Sequence, residues 1–189
     1  HLNVKDPATA QDGGLEDDLE DAESEEIQPK DVEKTRRIAL DLLAVRDRTV
    51  KEMGERLERR ECKAKAIATV MEGLCRTGLL VDVKYVRQWI GSRLENRPEG
   101  RIKLMQDLRK RGIDPSLAEQ ILEEFEDRVG TDDAADRVLD RVRHRYARLP
   151  DEAARRRMYG LLARRGFDPE TARVAVERAL AQLKETTAP

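Results

Sequence analysis

Ten arginines crowd into residues 135–166: Arg137, Arg141, Arg143, Arg145, Arg148, Arg155, Arg156, Arg157, Arg164 and Arg165. Asp136, Asp140, Asp151 and Glu152 offset them, leaving a local net charge of +6. A guanidinium stays charged near neutrality, and its planar fork can grip a phosphate or carboxylate through two parallel N–H groups. Such a concentration is therefore chemistry for holding anions. Arg141, Arg145 and Arg148 stand at i, i+4 and i+7, which predicts one stripe along a helix. A second group, Arg87, Arg93, Arg97, Arg101 and Lys103, surrounds a predicted turn at Asn96-Arg97-Pro98-Glu99-Gly100. Tyr85 and Trp89 lie beside it and could stack on bases, although a lone Trp at helical spacing is more often core. The plain alternative for the first group is a solvated arginine-rich face.

Bond-making chemistry finds no comparable constellation. His1 lies in an acidic tail, and His144 sits among arginines with no nucleophile or carboxylate partner, as a surface side chain would. The cluster Glu123, Glu124, Glu126 and Asp127 reads as a solvated helix face. No glycine-rich phosphate loop, metal-ligand spacing or nucleophile elbow occurs, so no enzyme, metal or cofactor is expected. Cys62 and Cys75 read as reduced, inward-facing thiols, which suits a cytoplasmic compartment. No apolar run is long enough to span a membrane, and the acidic N-terminus is not a secretory signal. It opens on His1 rather than Met, as a fragment would.

The net charge of −2 hides an asymmetry. Residues 1–30 carry ten acidic side chains against Lys5 and Lys30, a balance of −8, so the remainder carries +6. With few apolar residues and no helical period, this segment reads as a disordered acidic tail, either solubilising or a mimic of nucleic-acid charge that covers the basic body.

Beyond the tail, apolar residues recur with the helical period almost to the end. Ile38, Leu42 and Val45 mark a first helix; Val50, Met53 and Leu57 a second; Ile67, Val70, Met71, Leu74 and Cys75 a third. Val86, Trp89, Ile90 and Leu94 follow, then Ile102, Met105 and Leu108, then Ala118, Ile121, Leu122 and Phe125. The last three helices carry Ala135, Val138, Leu139, Val142 and Tyr146; Ala154, Met158, Leu161 and Leu162; and Ala172, Ala175, Val176, Ala179 and Leu183. With aromatic residues at only 3% and charged residues at 40%, thin stacked helical units fit better than one thick core.

Internal repetition sets the organisation. The octets Leu108-Arg109-Lys110-Arg111-Gly112-Ile113-Asp114-Pro115 and Leu162-Ala163-Arg164-Arg165-Gly166-Phe167-Asp168-Pro169 describe the same helix–corner–helix joint. The glycine takes the left-handed position that ends a helix, and the apolar residue after it packs back. Asp caps the next helix, and Pro starts it. A worn copy, Leu57-Glu58-Arg59-Arg60-Glu61-Cys62, has Glu61 in the glycine's place. Thr49 and Glu52 add a capping box. The expectation is an all-α protein of three tandem three-helix repeats in an elongated, curved array. Its divisions are a tail at 1–30 and repeats at 31–78, 79–129 and 130–186.

The run Ala39-Leu40-Asp41-Leu42-Leu43 to Arg48-Thr49, with Glu52 and Leu57, resembles the opening of the RecX family of bacterial recombination regulators. Gly78-Leu79-Leu80-Val81-Asp82, followed by Tyr85, Trp89 and Arg93, is similar to that family's most recognisable stretch, and the two glycine corners resemble its second and third repeats. The resemblance covers roughly residues 35–183. Val81 stands where an acidic residue is usual, Glu61 where glycine is, and Glu99 in a turn that is often basic. The resemblance implies a bacterial, cytoplasmic, monomeric protein that binds the RecA–single-stranded DNA filament along its groove, and double-stranded DNA as a further ligand. It implies inhibition or tuning of RecA's ATP turnover, strand exchange and co-protease activity. On that reading the contact residues are Arg87, Arg93, Arg97, Arg101, Lys103, Arg141, Arg145, Arg148, Arg155, Arg156, Arg157, Arg164 and Arg165. Two alternatives stay open. One is an autonomous helical DNA-binding protein, with steep salt dependence. The other is a protein-binding adaptor, because Gly166-Phe167-Asp168-Pro169 also resembles the corner of ubiquitin-associated three-helix domains.

Overall fold

The structure, a computed structural model, describes residues 27–187. These form nine α-helices and no strand: α1 Pro29–Val45, α2 Val50–Glu58, α3 Ala64–Arg76, α4 Asp82–Asn96, α5 Arg101–Lys110, α6 Pro115–Glu123, α7 Asp132–Asp140, α8 Asp151–Arg164 and α9 Pro169–Thr187. A short 3-10 turn, Arg143–Tyr146, joins α7 to α8. The expected acidic tail falls almost wholly on residues 1–26, outside the described residues. Its last two positions, Pro29 and Lys30, open α1.

Three separate apolar cores account for the all-α fold. Ala39, Leu42, Met53, Leu57, Ile67, Val70 and Leu74 pack α1–α3 together. Val86, Ile90, Leu94, Leu104, Leu108, Ile113, Ile121 and Leu122 do the same for α4–α6. Val138, Leu139, Met158, Leu162, Phe167 and Val176, filled in by alanines, join α7–α9. The helix pairs in broadest contact all lie inside one of these groups. Each repeat thus buries its own stripes, as low-aromatic, highly charged helices require.

All three corners adopt one backbone. Ile113 donates its N–H to the Leu108 carbonyl at 3.1 Å, Phe167 to Leu162 at 3.2 Å, and Cys62 to Leu57 at 3.2 Å, the six-to-one bond of a Schellman stop. The residue before each donor is left-handed: Gly112 at φ 78°, Gly166 at 77°, and Glu61 at 57°. Asp114 and Asp168 then cap the following helices. Asp114 accepts from the N–H groups of Ser116 and Leu117, and Asp168 from those of Glu170 and Thr171. Thr49 caps α2 by accepting from Glu52 N–H at 3.1 Å.

The corners also join the repeats. The Thr49 hydroxyl, at the start of α2, donates to the Arg111 carbonyl at 2.7 Å. One repeat along, Gly100 N–H, at the start of α5, donates to the Arg165 carbonyl at 2.8 Å. At both joints the left-handed glycine lies under the incoming helix. A Cβ on Gly112 would sit 2.1 Å from Lys51 Cδ, and one on Gly166 would sit 2.3 Å from the Lys103 nitrogen. Asp82 adds a bond across the first joint, accepting from Val50 N–H at 2.9 Å.

Several expectations of phase and length need correction. The seventh helix ends at Asp140 rather than running through Val142 and Tyr146. The 3-10 turn that follows brings Tyr146 and Leu149 back onto the third core. Arg141 therefore caps α7, Arg145 lies in the 3-10 turn and Arg148 follows it, so the three do not form one helical stripe. Cys75 is exposed and Cys62 half-buried: Leu74 holds the inward position, and the next residue rotates by about 100° to the outside. In α5 the inward residue is Leu104, while Ile102 is exposed. Val45 and Val50 are exposed at helix ends. Phe125 lies beyond the end of α6, half-buried against the second core.

The two kinds of glycine separate experimentally. Gly78 is left-handed at φ 72° with open space where a Cβ would go, so Gly78→Ala carries only the backbone cost of about 1 kcal/mol. Gly166→Ala carries that cost plus a collision with the α5 backbone. Urea unfolding should show the second substitution more destabilising than the first, and equal losses would mean the second joint is not close-packed.

Candidate functional site

The turn between α4 and α5 gathers arginines from two repeats. Glu99, 1% exposed, is the residue they surround. Its Oε1 lies 3.5 Å from Arg93 Nη1 and 3.5 Å from Arg97 Nε. From the third repeat, Arg165 Nη1 donates to the Pro98 carbonyl at 3.3 Å, and Arg141 Nη1 donates to the Asn96 carbonyl at 3.3 Å. Burial pulls the Arg165 guanidinium below its ordinary range, and Arg97 and Arg141 push it further the same way against the pull of Glu99. That depression reflects burial first and the neighbouring cations second. Arginine remains charged after such shifts, so the junction keeps an uncompensated positive charge. Glu99 Oε2 has no hydrogen-bond partner among the described residues.

Position explains how this crowding is tolerated. The Arg97 side chain is 60% exposed and that of Arg93 28% exposed, so water screens part of the repulsion. Arg141 is likewise exposed. The arrangement can do one thing chemically: present forked N–H donors and excess positive charge to a phosphate or carboxylate spanning the joint.

The other expected contact residues divide into two groups. Some are already neutralised within their own repeat. Arg87 makes two bonds at 2.7 Å to Glu124, Arg101 pairs with Glu119 at 2.5 Å, and Lys103 pairs with Asp107 at 2.5 Å. Arg155 pairs with both Glu152 and Glu177. Arg145, Arg148, Arg156, Arg157 and Arg164 are exposed, with no ion pair among the described residues. They surround α8 without converging on the Glu99 turn.

The first joint holds residues that the sequence reading did not single out. Arg111, equivalent to Arg165 in the repeated octet, donates to Glu52 at 2.9 Å and to the Tyr85 hydroxyl at 2.8 Å. Its guanidinium lies 5.4 Å from the Trp89 ring centroid, and that of Arg93 lies 4.9 Å from it. Trp89 is thus half-buried, packed against the second core on one side and against two cations on the other. An open cleft there is lined by Arg46, Asp47, Tyr85, Gln88, Trp89 and Arg111. Where the second joint buries Glu99, the first buries Arg48. Its Nε donates to the Leu42 carbonyl at 3.3 Å, and burial, then Arg46 and Arg56, draw its pKa down. The identical place of Arg111 and Arg165 in the octet was the signal available for the first joint.

Among the described residues no group of three or more His, Cys, Asp or Glu is placed to hold a metal ion. No helix there is long and apolar enough to cross a membrane.

Comparison with known proteins gives a consistent result. Models of the first, second and third three-helix domains of RecX match residues 36–74, 82–122 and 131–184. The regulatory protein RecX of Chlorobium phaeobacteroides is 30% identical over 141 residues, covering 75% of this chain and 90% of that protein. That of Streptomyces coelicolor is 30% identical over 179 residues, covering 95% of this chain and 94% of that one. Among solved structures, RecX from Lactobacillus salivarius superposes with a TM-score of 0.66 at 20% identity, covering 84% of this chain and 99% of its own. A second regulatory protein RecX superposes at 0.69 with 18% identity, over 80% of each chain. At those identities the superpositions speak for the fold.

The Glu99 carboxylate is expected to hold the arginine junction together. Glu99→Gln keeps the shape and removes the counter-charge, and should cost about 1–3 kcal/mol in urea unfolding. The loss should shrink in high salt, where repulsion among the arginines is screened. A loss that does not respond to salt would assign Glu99 a packing role only.

Proposed function

The chain belongs to the RecX family of regulatory proteins, and from that membership we propose that it is a non-enzymatic regulator of the RecA recombinase. It binds the RecA–single-stranded DNA filament, lies in the filament's groove, and restrains ATP turnover, strand exchange and co-protease activity. The observation that carries this reading is the gathering of four arginines on the α4–α5 turn at a joint between repeats, Arg93 and Arg97 on the Glu99 carboxylate and Arg141 and Arg165 on the Asn96 and Pro98 carbonyls. A linear array whose joints present excess positive charge suits a long, periodic polyanion better than a compact small ligand. Phosphates of the filament's DNA strand, or carboxylates of its protein coat, would meet the exposed guanidiniums of Arg97 and Arg141. The exposed arginines around α8 extend the same charge along the third repeat. The working protein is a monomer in the bacterial cytoplasm and needs no cofactor.

The second reading, an autonomous DNA-binding protein, draws on the same arginines. Phosphate contact alone is sequence-independent and needs no protein coat. The two differ in whether RecA is required.

The direct test is the steady-state ATPase rate of RecA on single-stranded DNA, titrated with this protein. Suppression well below one copy per RecA monomer supports groove binding or capping. No suppression, with binding to naked DNA, would favour the autonomous reading. Arg97→Ala/Arg141→Ala should weaken filament binding by about tenfold or more at low salt and lower the salt slope by about 2. Helicity should stay unchanged, while the unfolding midpoint should fall modestly, since Arg97 pairs with buried Glu99 and Arg141 bonds across the joint.

A further inference from the structure

The joint between repeats is a head-to-tail contact. The start of the second helix in one repeat seats on the corner of the next. Nothing in the geometry of such a contact limits the array to three repeats, and it extends as an open chain wherever the rotation between units does not close a ring. Among the described residues no helix start seats on the first repeat's corner at Arg60-Glu61, and no corner seats on the third repeat's helix start at Pro150-Asp151. The same contact between two copies would bring Pro150 of one onto the Glu61 corner of the other.

We propose that Glu61 and Pro150 are stops that prevent this chain from adding copies of itself end to end. At the corner, the backbone needed for docking is already formed. Glu61 is left-handed at φ 57°, the one such non-glycine among the described residues, and its Schellman bonds match those of Gly112 and Gly166. The Arg60 carbonyl, equivalent to the Arg111 and Arg165 acceptors, receives no hydrogen bond from the described residues. Both Arg60 and Glu61 are exposed. The difference is the side chain. A Cβ at the equivalent glycines would come within 2.1 Å of Lys51 or 2.3 Å of Lys103, and Glu61 carries that atom. Glycine would suit this backbone better, so the local conformation does not explain the glutamate.

The other end is closed by the complementary omission. The residue before α2 donates its hydroxyl (Thr49), and the residue before α5 donates its N–H (Gly100). Pro150 occupies the same place before α8. Proline has neither donor. Glu152 stands two residues on, where the first repeat has Lys51, and would bring a second carboxylate toward Glu61. Missing bond, collision and like charge all oppose the same contact.

The experiment is sedimentation velocity from about 1 to 500 μM on the unmodified chain, Glu61→Gly, and Glu61→Gly/Pro150→Thr. The unmodified chain should remain at monomer mass. The double variant should form a concentration-dependent ladder of dimers, trimers and longer species, while the single variant associates less. Glu61→Gly should also raise the unfolding midpoint, because it relieves the left-handed glutamate. Three outcomes overturn the proposal: a double variant that stays monomeric, one that stops at a closed dimer, or an unmodified chain that already assembles. Loss of helicity in Glu61→Gly does so too, since that backbone is one glycine accepts.

Discussion

The left-handed residue at each helix corner is the constraint from which the remaining architecture follows. It turns the second helix of a repeat into the third, and in doing so leaves the carbonyl just before it exposed at an outer edge. A neighbouring repeat can reach that carbonyl only where the left-handed residue lacks a side chain. Gly112 and Gly166 meet the condition. The same two positions therefore end helices, seal cores and join repeats, which explains why so short a stretch fixes so much of the chain.

The charge distribution follows from this joint. Arg165 precedes its corner glycine, so its side chain emerges beside the incoming α4–α5 turn and bonds to the Pro98 carbonyl. Arg141 reaches the same turn from the end of α7. Arginines 44 to 72 residues apart in sequence meet because a backbone contact brings their elements together. The cationic character of the junction belongs to neither repeat alone.

Much of the fold was legible because its signals are local. The octets name their own glycine, cap and proline, and α3 and α9 keep one phase throughout. The break after Asp140 was not legible: Val142 and Tyr146 continue the helical period, and only the third core shows that the chain must bend for Tyr146 and Leu149 to pack. Of the candidate site, the arginines were visible by type but their grouping was not. The acceptors that gather them are the carbonyls of Asn96 and Pro98, and a carbonyl belongs to every residue alike. Glu99 stood out as a departure from the family pattern without revealing that it is the buried centre of a cluster. Arg111 was overlooked because it lies outside the two arginine-dense stretches.

The two joints share one backbone design but enclose opposite charges, Arg48 in the first and Glu99 in the second. Here each joint has its own buried ion: a guanidinium bonded to the Leu42 carbonyl beside the first, a carboxylate paired with Arg93 and Arg97 beside the second. Exchanging the first two repeats would carry the buried guanidinium to the joint where Arg141 and Arg165 now stand and take the buried carboxylate away from them. The order of the units is thus written into the interior of the joints, and the array behaves as an addressed sequence of parts rather than a polymer of equivalent ones.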